Sequence, residues 1–332
     1  MRIAINGFGR IGRSVFRILD NHKNIDVVAI NDLSNQEALA YLLKYDTVMG
    51  RFTGNVYIEE NIMHTDNKTI QMLSERNPDI LPWKELDIDI VIEATGVFTK
   101  RSLLEGHLKA GAKKVLLTVP AKDEIDNTIV IGVNEHTLRP EDRIVSNASC
   151  TTNCLAPMAK ILDEEFGIKQ GVMNTVHAYT NDQRLADVPH SDLRRSRAAA
   201  ENIIPTSTGA ARAVGKVLPH LNGKLDGIAS RVPIPDGSVV DLFLELNQKV
   251  TVADINEVVK LKSESDQMKN ILFYSDKPIV SSDIIGNPFS SVYDSPCTKV
   301  KSGTFVRTLN WYDNEWGYSN RVVDLLGFMY NA

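Results

Sequence analysis

The sequence predicts a doubly wound α/β domain with a mostly parallel sheet, followed by an α+β domain with a mainly antiparallel sheet. Three observations predict it. Short, β-branched runs that are apolar on both faces recur through the first half, as parallel strands covered by helices must be. Amphipathic stretches lie between some of them. After Cys150 the runs lengthen and alternate apolar with polar residues, the pattern of antiparallel strands with one solvated face.

In chain order, the first-half strands are predicted at residues 3–6, 27–30, 88–94, 115–118, 128–131 and 144–147. Val15, Ile18 and Leu19 form one helical stripe after the first strand, and Leu103, Leu104, His107 and Leu108 form another before Val115. A helix is predicted over 151–166, with Ser149 as N-cap and Leu155, Met158, Leu162 and Phe166 as its buried stripe. Strands follow near 172–179, 228–232, 239–247 and 305–312, with helices over 254–262 and 319–330. The expected domain boundaries are 1–149 for the first domain, completed by a C-terminal helix over 316–332, and 150–315 for the second.

The chain has 332 residues, 43% of them hydrophobic and 24% charged, an ordinary balance for a globular protein with a sizeable core. A net charge of −5 counts against a nucleic-acid binder, which carries a basic excess. Three cysteines, Cys150, Cys154 and Cys297, do not make a disulfide framework, so a reducing, cytoplasmic setting is expected. No run approaches the roughly 18 apolar residues of a membrane span. The N-terminus turns glycine-rich too soon for a signal peptide.

Gly7-Phe8-Gly9-Arg10-Ile11-Gly12 is a G-x-G-x-x-G between a predicted strand and a predicted helix, the Rossmann context for a dinucleotide. The first glycine permits the tight turn, the second lets the backbone approach a pyrophosphate, and the third lets helix and strand pack closely. The helix N-terminus then presents N–H groups to the phosphates. A glycine-rich turn without a ligand is the alternative. Asp32, twenty residues after Gly12, suits the ribose hydroxyls and repels a 2′-phosphate, which favours NAD over NADP. Its alternative is a turn or capping role.

Ser146-Asn147-Ala148-Ser149-Cys150-Thr151-Thr152-Asn153-Cys154 leaves a strand and enters a helix. A cysteine at a helix N-terminus is biased toward thiolate. Cys154, one turn further in, reads as a buried structural thiol. A metal on C-x₃-C lacks further ligands, and none is expected. Of the seven histidines, His22, His64, His107 and His136 are placed on solvated helices or loops. His177 lies on a second-domain strand followed by Thr180, Asn181 and Asp182, and is the candidate partner of Cys150. A satisfied core histidine is the alternative.

Together with residues 5–13, the segments Ser149-Cys150-Thr151-Thr152-Asn153-Cys154, Ser207-Thr208-Gly209-Ala210-Ala211 and Trp311-Tyr312-Asp313-Asn314-Glu315-Trp316-Gly317-Tyr318 closely resemble the glyceraldehyde-3-phosphate dehydrogenases. The resemblance runs collinearly along essentially the whole chain. It implies an NAD-dependent, phosphorylating enzyme, usually a homotetramer. Such an enzyme converts D-glyceraldehyde 3-phosphate, inorganic phosphate and NAD to 1,3-bisphosphoglycerate and NADH through a thioester on Cys150, assisted by His177. It also implies that Phe8, Arg10 and Ile11 lie at the pyrophosphate, Arg76 near the adenine, and Thr95, Gly96 and Thr118 near the nicotinamide ribose. Asn314 would hold the nicotinamide carboxamide, with Tyr318 a further cofactor contact. Thr180, Asp182 and Arg231 are implied around the substrate phosphate, and Ser149, Thr151, Arg195, Thr208 and Gly209 around the attacking phosphate. A carboxylate does not attract an anion, so Asp182 is expected to orient a neighbouring donor.

Two places depart from the family pattern. Val188-Pro189 replaces a frequent Leu-Pro, and Asp236-Gly237, to which no function attaches from sequence, replaces a common Asn-Val. Erythrose-4-phosphate dehydrogenase is the nearest rival, although Thr206-Ser207-Thr208-Gly209-Ala210 looks like the phosphorylating enzyme. An additional non-catalytic binding role is the other alternative.

Overall fold

The computed structural model describes residues 1–332, which divide into two units. The first comprises Met1–Ile129, Glu135–Ser149 and Ser319–Ala332; the second comprises Val130–Asn134 and Cys150–Tyr318.

The first unit contains β1 (Arg2–Asn6), α1 (Arg10–Leu19), β2 (Asp26–Asn31), α2 (Gln36–Lys44), β3 (Val56–Glu59), β4 (Ile62–Thr65), β5 (Thr69–Leu73), β6 (Ile90–Glu93), α3 (Arg101–Lys109), β7 (Lys114–Leu117), β8 (Asn127–Thr128) and β9 (Ile144–Ser146). Its sheet has the order β3-β4-β5-β2-β1-β6-β7-β9-β8. All pairings from β5 to β8 are parallel. Ile3, Ala4, Ile5, Val91 and Ile92 are wholly buried, which is why these strands read as unbroken apolar runs. Strand order reverses between β1 and β6, and an open α/β sheet binds ligands at such a switch point, beyond the carboxyl ends of its strands.

The second unit contains α4 (Cys150–Phe166), β10 (Ile168–Ala178), β11 (Ile204–Ser207), α5 (Ala210–Val217), β12 (Leu225–Val232), β13 (Ser238–Leu246), α6 (Val252–Ser263), β14 (Leu272–Ser275), β15 (Ser291–Asp294), β16 (Lys299–Lys301) and β17 (Phe305–Tyr312). The last helix, α7 (Trp316–Asn331), starts here and continues in the first unit. The sheet order is β11-β12-β10-β13-β17-β15-β14, with β16 on β17. It is mainly antiparallel but mixed, since β10–β12 and β14–β15 run parallel. Leu155, Met158, Leu162 and Phe166 are buried along α4 as expected, each contributing about 1.5–3 kcal/mol. Thr152, Asn153 and Cys154 are buried as well, so α4 is covered on more than one face.

The strand expected over 128–131 is a correction: pairing stops at Thr128. The Asn134 side chain accepts the Val130 N–H, and Gly132 turns the backbone with φ +86°. These interactions take the buried residues Ile129, Val130 and Ile131 out of the sheet. His107 is a second correction. It is fully buried in α3 rather than solvated. His64 lies on β4, stacked on Tyr57.

Candidate active site

The glycine loop joins β1 to α1. Gly7 has φ +94°, and a Cβ there would meet Thr95 N at 2.6 Å. A Cβ on Gly12 would meet Gly7 O at 2.2 Å. These two glycines are required by close approach within the fold. A Cβ on Gly9 would meet nothing within 4 Å, so that backbone faces open space where a pyrophosphate can approach. A cavity of about 320 Å³ lies beside the loop, lined by residues including Gly7, Gly9, Asp32, Arg76 and Thr95. Asp32 Oδ2 accepts the Phe8 N–H at 2.8 Å, and Oδ1 accepts the Ser34 N–H at 2.9 Å. A carboxylate offers about four lone-pair sites, so ribose hydroxyls can be accepted in addition. The set therefore fits NAD.

The resemblance-derived residues divide by position. Phe8 faces the core, packed edge-on against Phe16, so only its backbone is available to a cofactor. Arg10 pairs with Asp46, and Ile11 is half-buried on α1. Gly96 is exposed, with φ +70°. The Thr95 N–H is accepted by Glu93 Oε1 at 2.8 Å, and the Thr118 hydroxyl donates to Glu93 O at 3.0 Å. Tyr318 is buried in the first turn of α7.

Sequence reasoning missed Asn6, Asn31 and Glu93. Asn6 donates to Glu93 Oε2 at 2.6 Å, and Asn31 donates to Asn6 Oδ1 at 2.7 Å. Trp83 Nε1 donates to His107 Nδ1 at 3.0 Å, so the other ring nitrogen carries the proton and donates to Glu93 Oε2 at 3.0 Å. The available signal was three apolar strands, β1, β2 and β6, each ending on a polar residue.

In the second unit Cys150 opens α4. Its Sγ lies 3.6 Å from His177 Nε2. His177 is the next-to-last residue of β10, directly beside Arg231 of β12, and its ring packs edge-on against Tyr312. His177 Nδ1 is 2.7 Å from Ala178 O and 2.7 Å from Arg231 Nη1. With a proton on Nδ1 the ring donates to Ala178 O and keeps Nε2 as a base for the thiol, and Arg231 Nη1 then donates to Ala178 O at 3.1 Å instead of to the ring.

Burial pushes the Cys150 thiol up, to about 11, and the His177 imidazole down, to about 3, with Arg231 adding to the latter effect. Against burial, Arg231 and the hydroxyl and N–H of Thr151 favour the thiolate, as does the helix N-terminus. Moving the proton from Sγ to Nε2 creates both charges together, each the counterion of the other. Cys154 is fully buried beside Ser291 and Asn310 O, and burial holds it as a thiol.

Asp182 takes Thr180 on one carboxylate oxygen and Arg195 on the other. Arg195 also donates to Thr206 Oγ1 at 2.9 Å and lies 3.6 Å from Asp192. Arg231 Nε is a buried donor with no acceptor in the chain, which suits an anionic ligand. Thr208 accepts the Ala210 N–H at the start of α5, and a Cβ on Gly209 would meet nothing within 4 Å. Ser149 immediately precedes α4, half-buried. Thr151 is turned inward instead: its hydroxyl is hydrogen-bonded to Tyr312 at 2.8 Å, as is that of Thr175. Asn314 is buried, and Ser238 donates to its Oδ1 at 2.6 Å while accepting the Ala178 N–H at 3.0 Å. Ser238 thus links the histidine strand to Asn314, a connection the sequence did not suggest.

A dinucleotide-binding α/β unit in the same chain as a cysteine–histidine pair and its arginines defines a dehydrogenase of the covalent, thiol-dependent class. Residues 1–101 match the NAD binding domain of glyceraldehyde 3-phosphate dehydrogenase, and residues 149–314 match the C-terminal domain of that enzyme. The chain belongs to the glyceraldehyde-3-phosphate dehydrogenase family. It is 57% identical to glyceraldehyde-3-phosphate dehydrogenase of Streptomyces coelicolor, over 100% of this chain and 99% of that one. It is 57% identical to that of Borreliella burgdorferi, over 98% of each chain. Glyceraldehyde-3-phosphate dehydrogenase 1 of Bacillus subtilis is 53% identical, over 99% and 98%.

Proposed function

We propose that the chain oxidises D-glyceraldehyde 3-phosphate to 1,3-bisphosphoglycerate with inorganic phosphate and NAD, through a thioester on Cys150. The observation that carries this reading is the 3.6 Å approach of Cys150 Sγ to His177 Nε2 at the start of α4. Attack of the thiolate on the aldehyde, with a proton from imidazolium, gives a hemithioacetal whose carbon can release hydride. Bound NAD supplies the hydride acceptor. His177 takes back the hydroxyl proton as the thioester carbonyl forms, general acid–base help worth about 10²–10⁴-fold. A phosphate oxygen then displaces Sγ, and the imidazolium holds the departing thiolate.

Thr180 and Arg231 are assigned to the substrate phosphate, with Asp182 orienting donors. Ser149, Arg195, Thr208 and Gly209 are assigned to the attacking phosphate, with Thr151 assigned through its backbone N–H because its hydroxyl is turned to Tyr312. Arginine supplies a planar donor fork and the hydroxyls add neutral donors. The Gly7–Gly12 backbone, Asp32, Arg76, Thr95, Gly96, Thr118, Asn314 and Tyr318 are assigned to NAD. Ser238 holds Asn314 Oδ1, which leaves the amide NH₂ as the end presented to a carboxamide oxygen.

A homotetramer is part of this reading. Leu185, Leu193 and Ile203 are 86%, 82% and 70% exposed within one segment, as side chains awaiting another copy would be. Light scattering giving a monomer would remove that part. A cytoplasmic location accords with three free cysteines, one needed as a thiol. The activity is tested by following NAD reduction with glyceraldehyde 3-phosphate, with and without phosphate or arsenate, and again with erythrose 4-phosphate. Sustained turnover that needs the anion is expected. A greater kcat/KM for the four-carbon sugar would overturn the substrate assignment.

A further inference from the structure

Asp236 and Asp313 are both 1% exposed. Asp313 is a carboxylate fully served by backbone donors: Oδ1 accepts the N–H groups of Glu315 and Trp316, and Oδ2 accepts that of Gly286 at 2.7 Å. Asp236 Oδ1 accepts the N–H of Gly237 at 2.8 Å and of Asn314 at 3.2 Å. Its other oxygen, Oδ2, is buried and meets no donor. The neighbouring group is the Asp313 carboxylate, which as an anion has nothing to give. Two adjacent buried carboxylates cannot both be ionised, and the one not already held by three N–H groups is the one that takes the proton.

We propose that Asp236 is a positioning residue for Asn314: protonated on Oδ2, it donates to Asp313 while Oδ1 holds the Asn314 N–H, fixing the backbone that presents the amide to the nicotinamide. The inference rests on the assignment of Asn314 to the carboxamide. Burial, then the Asp313 charge, pushes Asp236 up to about 9, in agreement with the geometry. The titratable groups acting on it are Asp313 and Glu315, both acidic. Asp283, on the turn packed against Gly237, directs Oδ2 to the Val280 N–H. The Asp236 charge in turn raises Cys150. Loss of the shared proton sets two anions against each other beside Asn314.

The test is direct NAD binding by calorimetry from pH 6.5 to 10 on the full-length protein and three variants. The wild type is expected to bind evenly up to about pH 8 and progressively more weakly through about pH 9. Asp236→Asn keeps the acceptor and replaces the shared proton with an amide N–H, so its affinity should stay flat to pH 10. Asp236→Ala leaves the Asn314 N–H without its acceptor and should weaken binding about 10-fold at pH 7.5. Parallel pH profiles for the wild type and Asp236→Asn would overturn the proposal even if Asp236→Ala failed to fold. Asn314→Ala separates the two readings. If it binds NAD as the wild type does, the carboxamide assignment is what fails; if it weakens binding while both Asp236 variants behave as wild type, only the present inference fails.

Discussion

Arg195 and Thr180 are bound to the same carboxylate, that of Asp182, one on each oxygen. Thr180 is assigned to the substrate phosphate and Arg195 to the attacking one, so a single side chain orients donors for both. Asp182→Ala should therefore raise KM for glyceraldehyde 3-phosphate and for inorganic phosphate together. The pair is partly exposed, so a rise of about 3- to 10-fold in each is expected. Steady-state kinetics with either substrate varied checks this, and a rise confined to one of them contradicts the shared role.

His177 is proposed as the base for Cys150, 3.6 Å away. Without the histidine, burial still raises the thiol and no base stands within reach. His177→Asn should reduce kcat by about 10²–10⁴-fold. The pH profile of alkylation by iodoacetamide should also change. In the wild type His177, 3.6 Å away, should sustain reactivity near neutral pH as the base, whereas in the variant the rate should climb only toward alkaline pH. Superimposable alkylation profiles would show that the two side chains do not share a proton.

Asp32 receives the Phe8 N–H and is proposed also to exclude a 2′-phosphate. Asp32→Asn keeps an oxygen for Phe8 and removes the charge. The preference for NAD over NADP should narrow by about 10-fold in kcat/KM. An unchanged ratio would place cofactor discrimination elsewhere.

Glu93 collects the buried Asn6 and His107 and the half-buried Thr95 in one network beneath the glycine loop. Glu93→Ala leaves those donors unpaired and should cost about 3–5 kcal/mol of stability. Urea denaturation of the wild type and the variant measures this. A loss under about 1 kcal/mol would mean that the network relaxes or hydrates.

The legible parts of the fold were those whose burial is uniform. β1, β6 and β7 are apolar on both faces, and β17 was located at its observed bounds although its alternation breaks at Thr308, Leu309 and Asn310, which are all buried. The edge hairpins β3 to β5 and helix α2 were not found. They are short: β3 and β5 alternate over only four and five residues, and α2 buries only Leu39, Ala40 and Leu43 of its nine. Cys150, the glycine loop and Asp32 announce themselves by position within strand–helix junctions. His107 was misplaced because its partners, Trp83 and Glu93, come from other segments of the chain. Asp236 carried no signal for the same reason: Asp313, 77 residues away, gives it meaning only once β13 and β17 are paired.

The central claim is that Cys150 carries the acyl group between hydride loss and phosphate attack. Rapid-mixing of the enzyme with NAD and glyceraldehyde 3-phosphate, phosphate withheld, tests it most directly. The account predicts a burst of NADH close to one equivalent per Cys150, then near-arrest until phosphate is added. For Cys150→Ser it predicts retained NAD binding and no burst. Steady turnover in that variant, or unrestricted turnover of the wild type without phosphate or arsenate, would contradict it.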